Sequence, residues 1–161
     1  MFLQNHFQNA YVTHDLDQAI QSFNSRYGAL EWNVVEPDMI LKTPTGDKPA
    51  KVRAAFGWVG MLQFEFIQPI SGFVDHYLKF LPSDKTDASL RFHHMCMRRD
   101  NLDEMRAEID RLGLPIAFEG GVDGLVFIYL DGRATFGHYV EYLWATPEMW
   151  VWQGWPAARS P

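Results

Sequence analysis

The spacing of apolar and polar positions switches from strand-like to helix-like twice along the chain, with the same signals in the same order. Gln8-Asn9-Ala10-Tyr11-Val12 reads as a short strand. Asp15-Leu16-Asp17-Gln18 follows as an N-cap residue with Gln three positions later, the pattern of a capping box. Leu16, Ile20, Phe23 and Tyr27 are then spaced by 4, 3 and 4, one face of a helix, and Gly28 is its stop signal. Shifted by 86 residues, His94-Met95-Cys96-Met97 is the matching strand and Asn101-Leu102-Asp103-Glu104 the matching box. Leu102, Met105, Ile109 and Leu112 form the second helical face before Gly113. Strand-like segments come next in both halves: Lys51 to Trp58 and Met61 to Gln68, then Leu125 to Leu130 and His138 to Trp144.

Each half therefore reads as a strand, a helix and about three strands. The halves differ at Asn33 to Pro49, where Pro37, Pro44, Gly46 and Pro49 suggest an irregular loop or distorted strand. Pro69 to Leu90 joins the halves, with one short helix expected within Gly72 to Leu81. A strand-helix-strands unit leaves one sheet face bare, and two units can bury that surface side by side. The expectation is one α+β domain made of two modules, residues 1–70 and 91–145, with a linker at 71–90 and an aromatic tail at 146–161. A curved sheet would enclose a cleft.

With 161 residues, 47% hydrophobic and 21% charged, the chain can bury a core large enough to exclude general disorder. A net charge of −6 repels phosphate polyanions, so nucleic acid is not an expected partner. The lone Cys96 excludes an intramolecular disulfide, and Met1-Phe2-Leu3-Gln4-Asn5 carries no secretion-signal pattern, which fits a reducing cytoplasm. The most apolar stretch, Ala54 to Ile67, is broken by Gly57, Gly60, Gln63 and Glu65, so no membrane partner is expected.

Chemistry is expected where apolar strands carry polar residues. Glu65 and Glu141 are each flanked on both sides by large apolar residues. Alternation alone could turn a Glu to solvent, but these two occupy the same place in the last strand of each half, so both face water or both face the shared cleft. His94 and Gln8 are also repeat equivalents, each eight residues before the first helical leucine. The four supply one imidazole nitrogen, two carboxylates and one amide oxygen, a mixed set suited to a divalent first-row metal.

These segments resemble the vicinal oxygen chelate superfamily of glyoxalase I, methylmalonyl-CoA epimerase, extradiol dioxygenases and bleomycin-resistance proteins. The carriers are Gln8 to Ile20, Phe64-Glu65-Phe66-Ile67-Gln68-Pro69, His93-His94-Met95-Cys96 and Tyr139-Val140-Glu141-Tyr142-Leu143. The resemblance implies paired βαβββ modules around one divalent metal (Zn, Ni, Co or Mn), held by Gln8, Glu65, His94 and Glu141. It also implies isomerase, epimerase or lyase chemistry on a small substrate with neighbouring oxygens, an α-hydroxy carbonyl or acyl thioester, through a metal-stabilised enolate. Glu141 is the first candidate for the base, Glu65 the second. The alternatives are an iron(II) dioxygenase, in which His6 would replace Gln8, and a binding or resistance protein without chemistry.

The expected partners are the small-molecule substrate and a second copy of the chain. Alternation is expected to turn His93 to the face opposite His94, and His14, His76 and His138 read as solvated or capping residues. Cys96 reads as a small buried thiol. Arg91, Arg98 and Arg99 read as a solvated basic face. Phe56, Trp58, Phe64, Phe66, Phe127, Tyr129, Trp144, Trp150 and Trp152 divide between core and pocket lining, and the aromatic tail is expected to pack over the cleft mouth or a partner subunit.

Overall fold

The structure is a computed structural model that describes residues 2–155; the end of the aromatic tail, 156–161, lies outside the described residues. The first half contains β1 (His6–Val12), α1 (Leu16–Tyr27), β2 (Asn33–Val35), β3 (Asp38–Thr43), β4 (Gly46–Val59) and β5 (Leu62–Gly72). A short α2 (Asp75–Leu78) leads to β6 (Arg91–Arg99), α3 (Leu102–Leu112), β7 (Ile116–Val122), β8 (Leu125–Leu130), α4 (Arg133–Phe136), β9 (Tyr139–Ala145) and α5 (Pro147–Trp152). Both helices start as their boxes predict. Asp15 accepts from the Gln18 N–H at 2.9 Å, and Asn101 accepts from the Glu104 N–H at 3.0 Å, each satisfying a donor the helix leaves open.

The helices cover the outside of the sheet. From α3, Met105 and Ile109 pack on Met97, Ile128, Val140 and Tyr142, each contributing about 1.5–3 kcal/mol of burial. On α1, Leu16 and Ala19 are buried against Ala55 and Phe66, whereas Tyr27 is 69% exposed and does not join the face its spacing suggests. It lies in the last helical turn, beyond the sheet contact.

All nine strands form one sheet in the order β2-β4-β3-β7-β8-β9-β6-β1-β5, and pairing of β4 with β5 bends it into a barrel-like ring. Asn33 to Pro49 is strand rather than loop, since β3 and β4 form a tight hairpin about Pro44 and Thr45. Pro49 is tolerated because it pairs with Ile40 on one side while the β5 ladder starts only at Ala50. At the end of β5, Gly72 has φ +78 and lies so close that any Cβ would strike the Pro49 carbonyl oxygen. That turn carries the chain into α2, whose Tyr77 packs with Ala10, Val12, Val52 and Ile67 and plugs one end of the ring.

The modules meet along antiparallel β1 and β6, with Gln8 opposite Cys96 and Ala10 opposite His94. The register shifts twice in this seam, between His6 and Gln8 and between Ala10 and Tyr11. Phe7 on β1 and His93 on β6 are therefore bulged residues, and they are equivalents in the 86-residue repeat. Each immediately precedes a candidate ligand.

Candidate metal centre

Gln8 and His94 come from the first strands of the two modules, Glu65 and Glu141 from the last. In the parallel pairs β1–β5 and β6–β9, Ala10 lies opposite Glu65 and Cys96 opposite Glu141, so the two carboxylates hold equivalent places. Strand alternation turns them to the inside of the ring, where Glu65, His94 and Glu141 are buried with potential ligand atoms all within 4.8 Å of one another. His94 Nε2 lies 2.9 Å from Glu141 Oε2 and 3.4 Å from Glu65 Oε2. The third neighbour of that nitrogen is the Tyr129 hydroxyl at 3.3 Å.

Gln8 lines the same cavity as the two carboxylates. Its Nε2 donates to Gln63 Oε1 at 2.7 Å, while its Oε1 is buried without a hydrogen-bond partner. A buried amide oxygen left without a donor costs about 1–3 kcal/mol, which a cation at this place would offset. Two carboxylates, an imidazole nitrogen and an orphaned amide oxygen form a donor set that fits a divalent first-row ion. His6 does not share this place: its Nε2 is 3.1 Å from the Gln8 carbonyl oxygen and 2.9 Å from Asn9 Oδ1.

The cluster is electrostatically loaded. Burial by itself would lower the pKa of His94, but its hydrogen bonds to Glu141 and Glu65 and their charges outweigh it and raise the pKa to about 9. Burial raises the Glu65 carboxyl above its ordinary range, and the Glu141 charge adds to this while His94 opposes it. Without a metal the site is held together by an imidazolium between carboxylates. A divalent ion would take over that role.

The structure corrects the expectation for His93. Its bulged position breaks the alternation, and His93 Nδ1 faces His94 Nδ1 at 2.9 Å inside the protein. Burial, and then the neighbouring His94 charge, keep His93 well below the ordinary imidazole range, so it is neutral and accepts at Nδ1 from the His94 Nδ1–H. Its own proton sits on Nε2, 3.3 Å from the His76 carbonyl oxygen. This leaves His94 Nε2 directed at the carboxylates and fixes the ring, as second contacts do for metal-bound histidines. No periodicity rule announces a bulge.

His76 is likewise not solvated. It is buried against Tyr77 and Phe118, and burial, then the His94 and Lys79 charges, push its pKa down to about 3. His14 bonds the Pro82 carbonyl oxygen at 2.9 Å and His138 that of Tyr139 at 2.7 Å, both away from the triad. Cys96 is a buried thiol, with its pKa raised by burial. The arginines are paired: Arg91 with Asp87, Arg98 with Asp100 and Arg99 with Glu108.

Beside the triad lies a cavity of about 500 Å3 whose exposed lining residues, Asn33 and Glu36 at and after β2, Gly121 and Val122 at the end of β7, and Trp152, mark its mouth. Phe56, Phe127, Tyr129 and Trp152 line it, whereas Phe66 and Trp150 are core. Tyr77, absent from the sequence-based candidates, lines the inner end together with Tyr129. Its burial depends on α2 folding back over a distant strand. The described tail covers part of the cavity mouth through Met149, Trp152 and Gln153, held by Trp58 Nε1–H donating to the Gln153 carbonyl oxygen at 3.0 Å.

Among solved structures, methylmalonyl-CoA epimerase from Mycobacterium tuberculosis matches with a TM-score of 0.63 at 14% identity, covering 91% of each chain. Streptomyces coelicolor methylmalonyl-CoA epimerase in complex with 2-nitronate-propionyl-CoA matches at 0.60 and 15%, covering 88% of this chain and 97% of that one. A hypothetical protein from Bacillus halodurans matches at 0.60 and 16%, covering 88% and 94%. At such identities the likeness is one of fold. No curated protein matches the sequence. Among the described residues no helix is long and apolar enough to cross a membrane. A family model for the glyoxalase/bleomycin resistance protein/dioxygenase superfamily matches residues 7–129, most of the chain, and the chain belongs to that superfamily.

Proposed function

We propose that the protein is a divalent-metal-dependent isomerase or epimerase that moves a proton on the carbon next to a carbonyl. The observation that carries this is the buried Glu65–His94–Glu141 triad, whose two carboxylates line a cavity together with Gln8 and its orphaned Oε1. Gln8, Glu65, His94 and Glu141 would hold the ion. When bound, the metal supplies Lewis acidity to a substrate oxygen. Glu141, freed from the ion as substrate binds, would take the proton from the substrate carbon and could return it to the neighbouring carbon for isomerisation. For inversion Glu65, across the site and carrying a proton of its own, would deliver that proton to the opposite face while Glu141 keeps the one it took, and exchange with solvent would reset both carboxyls. Tyr129 and Tyr77 shape the inner end and keep water out. The epimerase complexes among the structural neighbours support the same reaction class. An iron(II) dioxygenase with His6 as second histidine is disfavoured, because His6 is engaged with Gln8 and Asn9.

Elemental analysis of the purified protein should find about one divalent metal per chain. The metal-loaded protein should exchange the α-protons of candidate hydroxy carbonyls with deuterated solvent by NMR. Glu141→Gln keeps an oxygen donor and removes the base, so it should retain metal while exchange falls by about 10²–10⁴-fold. Unchanged exchange with metal bound would remove Glu141 from the role, and oxygen consumption without exchange would reject the isomerase class.

A further inference from the structure

The wall of the cavity selects a kind of substrate. Between the triad and the mouth it is formed by Met39, Val52, Phe56, Ile67, Phe127 and Leu143. Among the described lining residues the charged ones are all acidic: Glu65 and Glu141 at the inner end, Glu36 at the outer. Glu36 is already tied to Lys51 at 3.1 Å and to Arg53 at 3.7 Å. A divalent ion would balance Glu65 and Glu141, which leaves the inner end with no net charge. A phosphate or carboxylate drawn into this wall would shed its hydration against apolar side chains, with no Lys, Arg or His among the described lining residues to replace it.

Resting on the metal-dependent function proposed above, we infer that the substrate is an electrically neutral small molecule with two neighbouring oxygens at one end and an apolar, aromatic or branched tail. The oxygens face the triad and the tail lies along the Phe56–Phe127 wall.

Hydroxamates test this, because they offer one chelating head on tails of different character. Cobalt-loaded, full-length protein is titrated by calorimetry with acetohydroxamate, benzohydroxamate and phosphoglycolohydroxamate, and the visible cobalt spectrum reports chelation. Benzohydroxamate should bind about tenfold or more tightly than acetohydroxamate, and phosphoglycolohydroxamate more weakly than either. If all three chelate but the phosphorylated compound binds as well as acetohydroxamate, or the phenyl group brings no gain, the inference fails and the metal-dependent reading stands. If none perturbs the bound cobalt, the open metal site itself is refuted and the inference falls with it.

Discussion

Loading the site with metal should expel a proton, and the amount follows from His94. With its pKa at about 9, the imidazole is about 99% protonated at pH 7, and coordination through Nε2 requires that nitrogen to be bare. Binding of Co2+ at pH 7 should therefore release about one proton from His94, and the release should shrink as pH passes 9. Apparent affinity should rise about tenfold per pH unit below that point. The metal-free protein should show the same equilibrium as stability. His94 has a folded pKa above its ordinary 6.5, so its contribution is fully present below pH 6.5 and is lost as pH rises through about 9. The gap corresponds to about 3 kcal/mol, or a fall of about 6–12 °C in Tm for a chain of this size. Calorimetry in two buffers of different ionisation enthalpy counts the protons, and thermal melts of metal-free protein from pH 6 to 10 measure the loss. Glu65, a carboxyl with a raised pKa, contributes stability that begins to fall above its ordinary 4.5, before the His94 window opens. No proton release, together with a flat melting profile across pH 6.5 to 9, would refute the imidazolium-between-carboxylates account.

Two further outcomes test individual side chains. Gln8→Ala should weaken Co2+ affinity by about tenfold, near 1.4 kcal/mol, while His6→Ala leaves it unchanged; the reverse, measured by calorimetry, would assign the ligand to His6. His93→Phe should lower metal affinity by about 10–100-fold, because nothing then accepts from His94 Nδ1, and His93→Asn should recover much of it through its amide oxygen. Equal loss in both variants, each folded by circular dichroism, would show that His93 acts by packing alone.

Much of the candidate site was legible because its placement depends on local signals that repeat. The capping residues Asp15 and Asn101 set the register of both helices, and counting back eight residues from Leu16 and Leu102 picked out Gln8 and His94. Glu65 and Glu141 stood out as charges in apolar strands. What was not legible depends on long-range pairing. Pro49 looked like a strand breaker because the sequence does not show that the β5 ladder starts one residue later. His76 and Tyr77 looked like linker residues because their burial is created by strands far away in the chain. His93 was misassigned because alternation holds only for an uninterrupted ladder.

The bulges at Phe7 and His93 also set how the site can change. One lies on each strand of the seam, so the slip that the first introduces is cancelled by the second: the pairs His6–Met97 and Tyr11–Phe92 are in phase with each other, and Gln8–Cys96 to Ala10–His94 run one residue out of phase between them. Gln8 and His94 lie within this short stretch, and Glu65 and Glu141 lie opposite it. The location of the centre is therefore written in reading phase as well as in donor identity. A substitution can exchange one candidate ligand for another in place. Deleting one bulged residue alone would turn the rest of its strand inside out, so the centre can be moved along the seam only by paired insertions or deletions, one in each half of the chain.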